Sequence, residues 1–352
     1  MFLKYLVFIF FFCFPFLFYS QLPSKEINPM NILFIGNSYT HYNNMPFIFK
    51  NIAISKNIKI NVEMNAKSNH TFKMHAQRSE MYSAIRSKKW DYIVLQGFSR
   101  ELKYGKSQID TASLPYFKQI LDSIYNRNPC SNVLLFMTWG YETGYAELDS
   151  SSTFTYLEMS QSIKNGYKYI SSQFNIPIVP VGSVWEVFRQ KHPNIKLYQE
   201  DGQHPSINGS YLCASTFYSS IFKATSENSY IPQMDSVIAK KIQQLTFAEV
   251  SKNLDSFKLN QNTIKVYSEL TKKGQYLAAG FSNFIYADSL EWDLGNGIKF
   301  KTTEFNYIFK NSGTYFIKLT VYDTCGIREI YRKVVFKPFI KPKNPIKKQK
   351  IN

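Results

Sequence analysis

Cysteine is scarce in this chain of 352 residues, with four in all, and no pair of them has the spacing of a zinc site. Cys13 falls inside an apolar N-terminal run and lacks the small residues that precede a lipoprotein cysteine, so no lipid anchor is expected there. The remaining three, Cys130, Cys213 and Cys325, are an odd number and cannot form a complete set of intrachain bridges. Cys130 and Cys213 are candidates to pair in an oxidising compartment, with ordinary buried thiols as the alternative. The glycines are nowhere grouped as a phosphate loop or a dinucleotide fingerprint, and the aromatic signature of an RNA-binding sheet is missing. Nucleotide chemistry and nucleic acid as a partner are therefore not expected, and no internal repeat or low-complexity linker divides the chain. Acidic residues are few as well: 25 Asp and Glu stand against 42 Lys and Arg, a formal charge of +17. Such an excess suits scattered surface lysines, or attraction to an anionic polysaccharide or membrane surface. Only the last residues, 339–352, concentrate it, and they read as a solvated basic tail.

The first 20 residues have the form of a signal peptide: Lys4 supplies the positive end, and residues 5–19 are apolar and interrupted by Pro15. That run is short for a membrane-spanning helix, and cleavage before Gln21 fits, with an uncleaved anchor as the alternative. The expected location is outside the cytoplasm: periplasm, cell surface or medium.

From residue 31 to residue 223 apolar strand-like segments alternate with helical ones. Strands are predicted over residues 31–35, 57–64, 90–95, 132–138 and 176–181, with helices over 46–55, 74–88, 113–125, 155–174 and 211–222. Strands separated by helices of this length form a parallel sheet covered on both faces. Ligands on such sheets bind beyond the carboxyl ends of the strands, where Ser38, Gln96 and Trp139 all fall. Residues 226–262 read as a polar, partly helical connector. Residues 263–338 then change to short alternating strands with turn residues between them, the pattern of an all-β sandwich.

Two segments carry nucleophile chemistry. The apolar run ending in Gly36-Asn37-Ser38-Tyr39-Thr40 lifts a serine hydroxyl off the end of a strand. Far downstream, Asp201-Gly202-Gln203-His204 puts a carboxylate three residues before an imidazole on one loop. A serine becomes a nucleophile only when a base takes its proton, and that base needs a third group to orient it. Ser38, His204 and Asp201 supply the three roles.

Gly36-Asn37-Ser38-Tyr39-Thr40 resembles the first sequence block of the SGNH (GDSL-like) hydrolases, and Asp201-Gly202-Gln203-His204 their last. The resemblance runs from about residue 31 to residue 222 and includes Leu95-Gln96, Thr138-Trp139-Gly140, Pro180-Val181-Gly182 and His204-Pro205-Ser206. It implies a flavodoxin-like three-layer α/β/α domain over residues 31–225 and an esterase or deacylase that uses Ser38, His204 and Asp201. It also implies an oxyanion hole made by the Ser38 N–H, a glycine N–H and an asparagine side chain. The glycine of the second block is missing here, and Asn69 takes its place; Gln96 stands where the third block has asparagine.

Trp139 and Tyr141, at the end of the fourth strand, and His41, after the serine turn, are candidate substrate-binding residues, with packing as the alternative for each. Residues 140–155 are long and polar enough to form a lid. His70 and His75 are five apart, which does not align two ligands on a helix, so no metal is expected. No cofactor is called for.

In the C-terminal part, Trp292-Asp293-Leu294-Gly295-Asn296-Gly297, Phe305-Asn306-Tyr307 and Gly313-Thr314-Tyr315 resemble a PKD domain, an immunoglobulin-like sandwich, with Gly-Asn-Gly in place of the usual Gly-Asp-Gly. The resemblance implies a spacer or adhesive unit that could hold the enzyme to cell-surface polysaccharide. Together these expectations describe an exported serine esterase removing O-acetyl or other short acyl groups from a glycan. A lipid ester or thioester hydrolase, and an inactive glycan-binding or adhesion protein, are the alternatives.

Overall fold

Residues 28–147, 153–261, 264–271, 273–282, 284 and 287–338 are described by a computed structural model. The expected signal segment and basic tail lie outside these residues.

The chain enters as β1 (Met30–Gly36), whose last five residues are buried, and turns at Asn37 into the short α1 (Ser38–His41). After one 3-10 turn come α2 (Met45–Ser55) and β2 (Ile60–Ala66), then α3 (Phe72–Ala76), α4 (Ser79–Arg86) and β3 (Tyr92–Leu95). Next are α5 (Lys106–Ala112), α6 (Leu114–Arg127) and β4 (Asn132–Phe136). A small hairpin of β5 (Tyr145–Ala146) and β6 (Thr153–Phe154) precedes α7 (Tyr156–Phe174), which opens on a capping box between Thr155 and Glu158. The series closes with β7 (Ile178–Val179), α8 (Val181–Lys191), α9 (Ile207–Phe222) and α10 (Ser236–Lys252).

The five strands β2-β1-β3-β4-β7 form one sheet, every pair parallel. This is the doubly wound order, in which the chain reverses its direction of growth between β1 and β3. Phe217 of α9 meets Phe34 of β1 and Phe136 of β4 edge-on, with ring centroids 5.1 and 5.0 Å apart. Phe117 of α6 meets Phe72 of α3 in the same way at 5.1 Å. Edge-to-face contacts of this kind are favourable beyond the apolar area they bury.

Two expectations need correction. The long helix expected over residues 74–88 is two helices, broken between Ala76 and Ser79. The expected connector belongs to the first core. Ala239, Ile242, Leu245 and Val250 of α10 are buried with it, and the Ile178 N–H donates to the Phe257 carbonyl at the sheet edge. Its polar composition comes from the outer face of an amphipathic helix, which a scan for polarity reads as linker.

A second core gathers around Trp292. It lies between a four-stranded antiparallel sheet and a three-stranded one. The first, in the order β11-β10-β13-β14, contains β10 (Ser289–Asp293), β11 (Lys299–Phe300), β13 (Gly313–Asp323) and β14 (Gly326–Phe336). The second, in the order β12-β9-β8, contains β8 (Ile264–Leu270), β9 (Tyr276–Ser282) and β12 (Glu304–Phe309). Trp292 of the first sheet meets Phe305 of the second at 5.0 Å, so the two sheets share one interior and form a β-sandwich.

Of the two readings offered for Cys130 and Cys213, their pairing is not formed. Cys213 is a free thiol buried inside α9, while Cys130, after α6, is bridged to Cys325 in the β13–β14 turn. The bridge joins the sandwich to the α/β domain across 195 residues of sequence. Closing a loop of that length removes on the order of 5 kcal/mol of unfolded-chain freedom in the chain-entropy account.

Candidate active site

The serine turn is built by close approach at the end of β1. A Cβ on Gly36 would stand 2.2 Å from Thr40 Oγ1 and 2.7 Å from Gln96 Oε1, so only glycine lets β1 pass here. Asn37 then caps α1, its Oδ1 accepting the Tyr39 N–H at 3.0 Å. Its Nδ2 donates to the Gly97 carbonyl (3.0 Å) and the His70 carbonyl (3.4 Å). One amide thereby ties the serine turn to the loops after β2 and β3, which an aspartate, having no donor, could not do.

Asp201 and His204 sit on a tight loop ahead of α9. The Gln199 N–H donates to the His204 carbonyl at 2.8 Å, the Gly202 N–H to Gln199 at 3.1 Å, and Gly202 takes a left-handed φ of +65°. Asp201 Oδ1 accepts the N–H groups of Gln203 and His204, both at 2.9 Å, leaving Oδ2 for the His204 ring. Three bonds fasten this loop to the segment after β4: the Trp139 Nε1–H to the Gln203 carbonyl (3.1 Å), the Glu142 N–H to the Gly202 carbonyl (2.8 Å) and the Tyr198 hydroxyl to the Gly140 carbonyl (2.7 Å).

The loop brings His204 to Ser38. His204 Nε2 is 2.8 Å from Ser38 Oγ, and His204 Nδ1 is 2.5 Å from Asp201 Oδ2. Burial alone would raise the Asp201 carboxyl, but the bonds from the His204 ring and from the two backbone N–H groups outweigh it and hold the group below its ordinary value. An ionised carboxylate at Nδ1 fixes the tautomer whose Nε2 lone pair faces the serine. Tyr42, which the sequence did not single out, lies against the other side of the imidazole, and Tyr39 meets the ring edge-on.

Beside Ser38 is a cavity of about 270 Å³ whose lining includes Asn69 and His204 together with Phe98, Arg100, Tyr141 and Tyr145. Asn69 has a left-handed φ of +61°, a conformation asparagine tolerates better than most residues. Among the described residues neither the Ser38 N–H nor the Asn69 N–H has an acceptor. Tyr141 stands in the wall, its hydroxyl 2.9 Å from Ser99 Oγ.

Three expected site residues have other roles. Gln96 is buried and does not line the cavity. Its Oε1 accepts the Asn37 N–H at 3.0 Å and the Thr40 hydroxyl at 2.8 Å, and its Nε2 turns to the Gly97 carbonyl. Because the Asn37 N–H can only donate, the amide oxygen must face the serine turn, and Gln96 braces that turn instead of meeting an oxyanion. Trp139 is fully buried, stacked between Tyr39 (4.4 Å) and Trp185 (4.1 Å) beneath the site. His41 is not in the cavity wall and bonds Ser68 Oγ at 2.9 Å, bracing the Asn69 loop. Of the expected lid, Tyr141 and Tyr145 contribute to the cavity, while residues 148–152 lie outside the described part.

Glu101 was also not anticipated. Its carboxylate accepts the Phe72 N–H at 3.0 Å and the Phe98 N–H at 3.0 Å, joining the loops on either side of the cavity, and burial pushes it up to about 7. His75 is fully buried beneath these loops, and burial and the neighbouring His70 bring it down to about 3, so its ring is neutral. Among the described residues no group of three or more His, Cys, Asp or Glu side chains is arranged to hold a metal ion.

Neither a protein-family profile nor a curated protein sequence matches this chain. Solved structures do. The chain is similar to a DUF4886 family protein from Bacteroides uniformis, at 20% identity and a TM-score of 0.55, over 63% of this chain and 95% of that one. The two share a fold. Looser similarity extends to a candidate SGNH hydrolase from Slackia heliotrinireducens (21% identity, TM-score 0.44, 54% of this chain and 97% of that one). It extends likewise to the acetyl xylan esterase AlAXEase (14% identity, TM-score 0.43, 55% of this chain and 100% of that one).

Proposed function

We propose that this protein is an exported serine esterase of the SGNH type that removes short acyl groups, O-acetyl first among them, from a glycan. The observation that carries the reading is the hydrogen-bonded chain from Ser38 Oγ through His204 to Asp201 at the carboxyl end of the parallel sheet, beside the point where strand order reverses.

In this reading Ser38 Oγ attacks the acyl carbonyl as His204 Nε2 takes its proton. The oxyanion so formed accepts from the Ser38 and Asn69 N–H groups. Collapse breaks the ester C–O bond, and His204 returns the proton to the departing alcohol. Water, deprotonated by His204 in turn, then cleaves the acyl-serine and releases the carboxylic acid. Asp201 holds the imidazole and stabilises its charged form throughout.

A short acyl group suits a cavity of about 270 Å³ with Asn37, Asn69, Arg100 and Gln203 in its lining, whereas a long lipid chain needs a larger apolar channel. Tyr141, Tyr145 and Phe98 offer aromatic surface to a sugar. Export is supported by the N-terminal segment and by a disulfide between two exposed cysteines, which persists in oxidising compartments. The sandwich acts as a PKD-like, immunoglobulin-type adhesive unit that keeps the enzyme near cell-surface polysaccharide.

Hydrolysis of 4-nitrophenyl acetate and of acetylated glycans tests the reading, with Ser38→Ala and His204→Ala alongside. Activity abolished in both variants, with their melting temperatures retained, is the expected result. An unchanged rate in Ser38→Ala sinks the mechanism.

A further inference from the structure

Arg100 stands in the cavity wall, and among the described residues no acidic group answers its charge. Its guanidinium carbon lies 4.3 Å from the centroid of the Tyr145 ring and 5.2 Å from that of Phe98, so the side chain is held between two aromatic groups. No carboxylate among the described residues pairs with it, and its buried Nε has no acceptor. The nearby acids are engaged elsewhere. Glu147 is bonded by Lys103 at 2.5 Å and by the Tyr145 hydroxyl at 3.1 Å. Glu101 receives the Phe72 and Phe98 N–H groups, and Asp201 holds the His204 loop.

A guanidinium partly withdrawn from water with no counter-ion is costly to fold around, and it favours the ligand that completes it. Its planar fork matches an oxygen anion with two acceptors, a carboxylate above all. Aromatic groups beside it limit the orientations it can take, so less freedom is lost when it binds. The overall charge of +17 draws such a ligand toward the protein.

We infer that the substrate is an anionic ester, one that carries a carboxylate near the reacting carbonyl, and that Arg100 binds this carboxylate. The inference rests on the esterase reading for its chemistry and names the class of ester the site selects. The carboxylate can belong to the acyl group, as in the half-ester of a dicarboxylic acid, or to the alcohol, as in an acylated acidic sugar.

Three esters separate these cases: neutral 4-nitrophenyl acetate, mono-4-nitrophenyl glutarate with its carboxylate on the acyl side, and 4-acetoxybenzoate with its carboxylate on the alcohol side. For each protein the quantity read is kcat/KM for the charged ester divided by that for the neutral one, which cancels any general damage to the site. Arg100→Gln is expected to lower this ratio at least about tenfold for one of the two charged esters, chiefly through KM, and Arg100→Lys to restore part of it. The ester affected identifies the side that carries the charge. Ratios unchanged in Arg100→Gln for both charged esters overturn the inference.

Should the wild type hydrolyse none of the three, or Ser38→Ala hydrolyse them as fast, the esterase reading fails while Arg100 is still tested by binding. Calorimetric titration of glutarate and of benzoate into Ser38→Ala and into Ser38→Ala/Arg100→Gln decides it. Binding present in the first and weakened about tenfold or more in the second upholds the carboxylate site. Equal binding in both, or none in either, overturns it.

Discussion

The Tyr42 ring lies against the His204 imidazole with centroids 4.2 Å apart and planes 13° from parallel. Ser38 and Asp201 fix the edge of the imidazole, and Tyr42 covers its face. In the proposed reaction the imidazole becomes a cation at the transition state, and a stacked phenol stabilises that form more than the neutral one. Tyr42→Ala is therefore expected to lower kcat roughly 2- to 30-fold, the range that about 0.5–2 kcal/mol supplies, with KM little changed. Tyr42→Phe keeps the ring and should stay close to the wild type. Steady-state kinetics on a short ester checks the pair.

Asp201→Asn separates orientation from mere presence of a side chain. Its amide oxygen can still accept the Gln203 and His204 N–H groups, so the loop is retained. The amide nitrogen would donate to His204 Nδ1, leaving the proton on Nε2, where it cannot accept one from Ser38. A loss of roughly 10³–10⁴-fold in kcat with an unchanged melting temperature is expected.

Gly202 takes a left-handed backbone, and a Cβ there would meet Glu142 Cβ only at an ordinary 3.5 Å. The cost of Gly202→Ala is thus conformational, about 1–2 kcal/mol. Thermal unfolding should register the loss. Because Gly202 sits between Asp201 and His204, kcat should fall with it, whereas an alanine at the exposed Gly297, also left-handed but far in sequence from both residues, should leave kcat intact.

Glu101 gives the protein a pH signature. A carboxyl pushed up to about 7 holds its proton more tightly folded than unfolded, so stability declines as pH rises from its ordinary value of 4.5 through about 7. The decline attributable to this group is at most about 3 kcal/mol, from roughly 1.4 kcal/mol per unit. Glu101→Gln keeps an acceptor for Phe72 and Phe98 and should flatten the slope in chemical denaturation between pH 4.5 and pH 7. A slope identical to that of the wild type refutes the assignment.

How far the site could be read in advance depended on whether its geometry is local. Asp201 and His204 meet within one turn of chain, and Ser38 follows its strand directly, so local pattern and the family resemblance together marked them as candidates. Gln96 directly follows β3 and Trp139 lies three residues past β4, but the direction of a side chain beyond a strand depends on what packs across from it. For Gln96 that was the Asn37 N–H, and for Trp139 it was Tyr39, Trp185 and the Gln203 carbonyl. Arg100 looked like any other surface charge, because its neighbour Tyr145 arrives from a hairpin 45 residues away in sequence. Helix α8 escaped notice because it begins immediately after β7, with only Pro180 between them. The pairing of Cys130 with Cys325 joins two separate cores, and no local pattern encodes a contact of that range.

The Cys130–Cys325 bridge divides the proposed machinery topologically: Asp201 and His204 lie inside the covalent ring it closes, and Ser38 lies outside. A single backbone cut anywhere between residues 131 and 324 opens the ring without releasing a fragment, so the protein keeps its mass until it is reduced. A cut between residues 39 and 129 severs Ser38 from His204 whatever the state of the bridge. The two halves of the relay are thus unequally protected against proteolysis, and the serine half is the one that a single nick can detach.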